Sequence, residues 1–209
     1  MTETVIFAFL FAWFKGYKLK YVLKHWSIYP ILLTCITHIY IVSLMFKGEY
    51  WFLEYAKYIK VTSLLFYFIL IYKYKLLDIS IFKNINLKRN SQIAIWLTSP
   101  VIIGAICTAL GSKLNQIAVL YNNNKMPVFI SNSWATGYAK ADMFSKSLKY
   151  GDYHVMGDMY TKLIPLTDIF DAGYMSFSIG DALVRSFAFI IIYYSIKSSN
   201  IMKITTKYK

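Results

Sequence analysis

Acidic residues are scarce in this chain: ten Asp and Glu stand against 23 Lys and Arg, a formal net charge of +13 over 209 residues. Such a balance raises nucleic acid as a partner. The lysines, however, border apolar runs, and no basic–aromatic recognition module is visible. Anionic lipid headgroups are therefore the expected partner, and nucleic acid is not. Cysteine is scarcer still. Cys35 and Cys107 both fall inside apolar runs, where small buried packing residues are expected. Two cysteines without metal-ligand spacing exclude a zinc site. The chain also lacks a Walker loop, a dinucleotide fingerprint, a nucleophile elbow and a haem motif. ATP-driven work would need another subunit, and the sequence names no cofactor. Repeated halves, the mark of an autonomous secondary transporter, are absent, although a homo-oligomer would supply symmetry. Met1-Thr2-Glu3-Thr4 shows neither the basic start of a secretory signal nor a lipidation motif, so the first apolar run is expected to be retained.

What the chain does have is apolar sequence gathered in blocks. It is 57% hydrophobic and 19% aromatic, where a soluble domain would be about 45–50% apolar. The blocks predict a single-domain, all-α membrane protein with about five transmembrane helices. The spans are expected at residues 4–23, 28–46, 58–72, 93–110 and 182–196. The first run, Val5 to Phe14, is short and extends only if Lys15 and Lys18 snorkel. Pro30 sits in the first turn of the second span, where a missing N–H costs little. Pro100 is expected to kink the fourth, and Gly104 and Gly111 permit close helix approach. Trp13, Trp26, Trp51, Tyr72, Tyr74 and Tyr193 gather near run ends, as an aromatic belt requires.

Charge sets the expected orientation. Segment 15–27 carries four Lys; segment 73–92 carries four Lys and Arg89 against Asp78; the tail 197–209 carries four Lys and no acid. Segments 47–60 and 111–180 mix their lysines with acids. By the positive-inside rule the first three are cytoplasmic. The chain is then a multi-pass cell-membrane protein with its N-terminus outside and its C-terminus inside. Residues 111–180 form an outer loop. Trp134, Tyr138, Phe144, Tyr153, Tyr160 and Phe170 make that loop too aromatic for disorder, and short interfacial helices are expected in it.

Four stretches of the C-terminal half carry candidate chemistry. Asn122-Asn123-Asn124-Lys125-Met126-Pro127-Val128 reads as a turn, since Asn tolerates left-handed backbone; its sharper reading lines a pocket with Asn122, Asn124 and Met126. His154 with Asp152 and Asp158 is a candidate metal or acid–base group, His154 and Asp158 being four apart. Gly151 and Gly157 argue against a regular helix there. In Thr167-Asp168-Ile169-Phe170-Asp171, Asp168 is expected to cap a short helix. The most specific stretch is Ser176-Phe177-Ser178-Ile179-Gly180-Asp181-Ala182-Leu183-Val184-Arg185. Ser178 or Asp181 would cap the last span, and Arg185 stands one turn on, placed to pair with Asp181 or to meet a ligand.

The chain resembles the DUF5317 family of small bacterial membrane proteins. Three places carry the likeness: the first apolar run followed by Lys15-Gly16-Tyr17-Lys18-Leu19; Asn124-Lys125-Met126-Pro127-Val128; and the series His154, Thr161-Lys162-Leu163, Leu166-Thr167-Asp168-Ile169 and Ser178-Ile179-Gly180-Asp181. The resemblance implies an integral membrane protein and supplies no activity. The leading expectation is an outward polar cap that binds a small ligand, an ion or a protein partner. The alternative is a membrane-embedded hydrolase, aspartyl or metal-dependent, using Asp181 with Asp168 or His154. Ser178-Ile179-Gly180-Asp181 is similar to the Gly-x-Gly-Asp motif of intramembrane aspartyl proteases, in which two carboxylates share a proton. Whether the chain is an enzyme is left open by its sequence.

Overall fold

A computed structural model describes residues 2–77 and 99–207. The chain is mostly helical. In order come α1 (Thr2–Phe14), α2 (Lys20–Leu23), α3 (Tyr29–Lys47), α4 (Ala56–Lys73), α5 (Pro100–Tyr121), β1 (Met126–Val128), α6 (Asn132–Ala135), α7 (Met143–Leu148), β2 (His154–Met156), β3 (Phe170–Asp171), β4 (Ser176–Phe177) and α8 (Ile179–Lys207). Among the described residues, three helices are long and apolar enough to cross a membrane: Trp26–Lys47, Pro100–Tyr121 and Ile179–Lys203. At about 1.5 Å per residue, the 22-residue α5 matches a hydrocarbon layer of about 30 Å. Their outer sides are apolar, with Leu33, Ile36, Ile39 and Leu110 exposed. α4 holds Lys57, Lys60 and Lys73 in its 18 residues.

Several expected boundaries move. The first span does not run on to residue 23. Gly16 takes φ +80°, and the amides of Gly16 and Tyr17 return to the carbonyls of Trp13 and Ala12, which is how a left-handed glycine ends a helix. α1 is thus about 20 Å long. Pro100 does not kink the fourth span; it opens α5, where its missing N–H is harmless. The residues expected at 93–98 lie outside the described ones. α5 continues eleven residues past 110 to Tyr121, and α8 begins at Ile179 rather than 182. Residues 122–178 therefore form the segment between the last two long helices. It contains short strands as well as short helices, a departure from an all-α chain.

The chain divides into two units. The first holds Met1–Ile36, Val61–Thr108 and Arg185–Lys209. Its core is a continuous apolar cluster that includes Ala8, Ile28, Ile31, Leu70, Ile191, Ile192 and Ile196. Polar clamps close one end. Asn200 Oδ1 accepts from Lys18 N at 2.9 Å and its Nδ2 donates to Lys18 O at 3.3 Å. Ser198 Oγ donates to Tyr74 O at 2.9 Å. Gly104 lets Phe187 lie against its backbone: a Cβ there would stand 2.7 Å from Phe187 Cδ2.

The second unit holds Thr37–Lys60 and Ala109–Val184. Its frame is a small parallel pair. β1 pairs with β2 in the register Met126↔His154, Pro127↔Val155, Val128↔Met156. The other edge of β1 takes Asp168, whose N–H donates to Pro127 O at 3.1 Å and whose C=O accepts from Phe129 N at 2.9 Å. Pro127 suits this place because the neighbours need its carbonyl and not its missing N–H. β3 and β4 form an antiparallel hairpin. Tyr138 Oη meets Met45 Sδ at 2.8 Å, joining the end of α3 to the segment after α6.

Candidate functional site

The turn after α5 is the first element to position the polar groups. Asn123 and Asn124 take φ +55° and +59°, and Asn124 N donates to Val119 O at 2.9 Å. The asparagines end the helix, as the turn reading anticipates. Asn122 adds a clamp. Its Nδ2 donates to Ala118 O at 2.8 Å and to Lys162 O at 2.9 Å, while its Oδ1 accepts from Lys162 N at 2.9 Å. An amide that pairs both ways with a distant peptide behaves like one rung of a sheet. Asn122→Ala leaves those groups without their partners and is expected to cost about 1–3 kcal/mol; thermal unfolding in detergent measures it. Of the other pocket candidates, Asn124 is exposed and Met126 is 2% exposed, so Met126 packs inside the unit.

His154 stands at the centre. β2 carries it, and Asp152 just before the strand accepts from His154 N at 3.3 Å and from Nδ1 at 2.5 Å. On its other side, Nε2 lies 3.7 Å from Asp168 Oδ2. The Asp168 side chain is buried and that of His154 is about one-third exposed. Tyr153 stacks on the imidazole with ring centroids 4.6 Å apart. Burial works against a charged His154, but the bond from Asp152 and the charges of Asp152, Asp168 and Asp181 outweigh it and hold its pKa above the ordinary value. Burial likewise works against a charged Asp152, yet the His154 bond and charge keep its pKa below the usual carboxylate value. Burial and the charges of Asp181, Asp168 and Asp152 push the Tyr153 phenol up. Three carboxylates thus act on one Tyr–His pair.

The signs fix a pH window. A raised His154 pKa gives stability that is whole below the ordinary 6.5 and drains away as pH rises through the folded value. A lowered Asp152 pKa gives stability present above 3.8 and lost as pH falls below it. The second unit should therefore be most stable between these values and loosen on the alkaline side. His154→Gln should flatten the alkaline limb; unfolding midpoints from pH 5 to 9 measure it.

Asp168 and Asp158 differ from expectation. Asp168 does not cap a helix; it forms a bridge to Val128. Asp158 does not share a helix face with His154, because His154 lies on a strand. Its Oδ1 accepts from Tyr160 N at 2.9 Å and Thr161 Oγ1 at 3.2 Å, closing a local turn. Among the described residues no group of three or more His, Cys, Asp and Glu is placed to hold a metal ion. Asp171 accepts four bonds, from Ser131 N, Ser133 N, Ser133 Oγ and Gly173 N. Burial is outweighed by these donors, and its carboxyl lies below the usual range. It is the cap of α6.

The fourth stretch closes into a ring. Ser178 Oγ accepts from Asp181 N at 2.9 Å, and Asp181 Oδ2 accepts from Ser178 N at 3.3 Å, a reciprocal cap at the start of α8. Asn115 of α5 completes it: Nδ2 donates to Asp181 Oδ1 at 2.7 Å, and Oδ1 accepts from Ser178 Oγ at 2.7 Å. Glycine makes this approach possible. A Cβ on Gly180 would overlap Asn115 Oδ1 and lie 2.6 Å from Gly111 O. A Cβ on Gly111 would overlap Gly180 O and lie 2.9 Å from Leu183 Cβ. Gly111 and Gly104 both serve the close approach expected of them. Asn115, like Tyr153, is a residue that the sequence did not point to. Arg185, one helical turn beyond Asp181, belongs to the first unit.

Residues 18–193 match the model of DUF5317, a family of unknown function. The chain belongs to that family. No curated protein matches it, and no solved structure does. The range shared with DUF5317 takes in Asn115, the asparagine turn, His154, Asp168 and the Ser178–Asp181 cap, and leaves out α1.

Proposed function

We propose that this DUF5317 chain is a membrane protein of five spans with its N-terminus outside and its C-terminus in the cytoplasm. Residues 122–178 then form an outer cap, whose work is to bind a small polar ligand, an ion or a protein partner around His154 and Tyr153. The observation that carries the reading is His154 held between Asp152, 2.5 Å from Nδ1, and Asp168, 3.7 Å from Nε2, with Tyr153 stacked on it and the charge of Asp181 also acting on it, in a chain of net charge +13. Acid is rare here, and three of its ten carboxylates act on one half-buried imidazole. Polar and ionisable groups so arranged, on one side of a membrane, suit recognition.

The hydrolase alternative gains less from the geometry. A proton-sharing pair needs Asp168 and Asp181 to face each other across a water. Asp181 instead holds Asn115 and Ser178, and Asp168 holds His154 and the edge of β1. The Gly180 of the Ser-Ile-Gly-Asp stretch is explained by Gly111 and Asn115 alone.

The test is a thermal-shift screen of polar metabolites and divalent ions against wild type, Tyr153→Ala and His154→Gln in detergent. The proposal expects compounds that raise the wild-type midpoint and leave both variants unmoved. Variants that fold less well yet respond to every compound as wild type does would remove the site.

A further inference from the structure

Six described lysines of the first unit collect at one end of it. Lys18, Lys20 and Lys24 lie on the segment that follows α1, Lys73 and Lys75 at the end of α4, and Lys203 near the end of α8; all six are exposed. Hydrogen bonds bring these three segments together. Lys18 and Asn200 exchange backbone and side-chain bonds, and Ser198 holds Tyr74 O. The His25 and Tyr74 rings lie 6.3 Å apart. Burial and the charge of Lys73 together hold His25 below its ordinary pKa, as a neighbouring cation would. Glu3 is the one carboxylate among the described residues of this unit, and it stands at the far end of α1 from the lysines. Trp26 and Tyr72 are 59% and 88% exposed beside them, rings suited to headgroup depth.

We infer that this end of the first unit is a binding surface for anionic phospholipid, with Lys18, Lys20, Lys24, Lys73, Lys75 and Lys203 from three converging segments gathering phosphates. The inference rests on the membrane reading above and names the lipid chemistry of its cytoplasmic leaflet. Lysines on separate but tethered segments can engage two phosphates at once, so a diphosphate lipid of the cardiolipin type should bind best, a singly charged phosphatidylglycerol less well, and phosphatidylcholine weakly. Exposed aromatic rings beside the lysines favour a lipid over a soluble polyanion, since they need an apolar neighbour as well as a phosphate.

Titration of fluorescently tailed cardiolipin, phosphatidylglycerol and phosphatidylcholine against the full chain in detergent tests it. The expected result is cardiolipin binding at least tenfold tighter than phosphatidylcholine and weakened by salt. Lys73→Gln with Lys75→Gln should lose on the order of 30-fold for cardiolipin. Lys149→Gln with Lys162→Gln, on the other unit, should bind as wild type does. Lys20→Gln with Lys24→Gln is a second probe if the first variant fails to fold. Equal binding of the three lipids, or cardiolipin binding untouched by both of the first unit's variants, would overturn the inference. So would a labelled oligoribonucleotide whose binding depends on these lysines while cardiolipin binding does not. Failure of the membrane reading shows itself separately, as a chain that stays in solution without detergent and does not float with phosphatidylcholine vesicles.

Discussion

Gly180→Ala should abolish most of the folded protein. The added Cβ has no free volume: it would overlap Asn115 Oδ1 and press within 2.6 Å of Gly111 O. Neither obstacle is the loose end of a flexible chain. Gly111 O is backbone of α5, and Asn115 Oδ1 is fixed by Ser178 Oγ. Relief therefore means parting α5 from the start of α8 and breaking the ring that Asn115 closes. Overpacking of a rigid site costs about 1–3 kcal/mol, and loss of the buried hydrogen bonds adds to it, so a total of about 3 kcal/mol or more is expected. Gly104→Ala is the control. Its Cβ meets the edge of the Phe187 ring rather than a backbone carbonyl, and a ring pushed part-way off its rotamer costs about 1 kcal/mol. Monodisperse yield and thermal midpoint in one detergent compare them. Equal behaviour of the two variants would mean that the α5–α8 approach is looser than the ring requires.

The ring itself predicts the second large effect. Asp181 uses its two oxygens differently, one for the Asn115 amide and one for the Ser178 N–H. Asp181→Asn places an NH2 where one of two donors already points, and should cost about 1–3 kcal/mol. Asn115→Ala should cost a similar amount, since it leaves the Ser178 hydroxyl without its acceptor and Asp181 Oδ1 without its donor. The double variant should cost much less than the sum, because the two residues serve one network; a coupling of about 0.5–3 kcal/mol is expected. Additive losses would show that Asp181 and Asn115 act apart. A rise in stability on Asp181→Asn would show a carboxylate kept at a cost for function.

Much of this was readable from residue type and spacing, and the misses have physical causes. The Asn123–Asn124 turn and the Ser178–Asp181 cap are local devices whose geometry follows from backbone preference, so the sequence announces them; Gly111 announces a close approach but not its partner, Gly180. The end of α5 was not announced. Gly111, Lys113, Asn115 and Gln116 interrupt the apolar run, and hydropathy closes a span at the first cluster of polar residues. Asn115 faces Ser178 and Asp181 rather than water, a partner 63 residues away that no local pattern reveals. The Asp168 bridge fails for the same reason. Thr167-Asp168 looks like a helix cap, yet the partner that decides its fate is Val128 on β1. His154 and Asp158 are four apart and invite a helical reading; pairing with Met126 makes His154 a strand residue instead. Tyr153 carried no signal at all, for its importance lies in the carboxylates that surround it.

The central claim is that residues 122–178 are an outer cap and that the lysine-rich end of the first unit faces the cytoplasm. Cysteine accessibility tests it most directly. In a Cys35→Ala, Cys107→Ala background, Lys149→Cys and Lys203→Cys each place one thiol at an exposed position. A membrane-impermeant maleimide applied to intact spheroplasts should label Lys149→Cys at once, and Lys203→Cys only after permeabilisation. Labelling of Lys203→Cys from outside, with Lys149→Cys protected until the membrane is opened, would contradict the account.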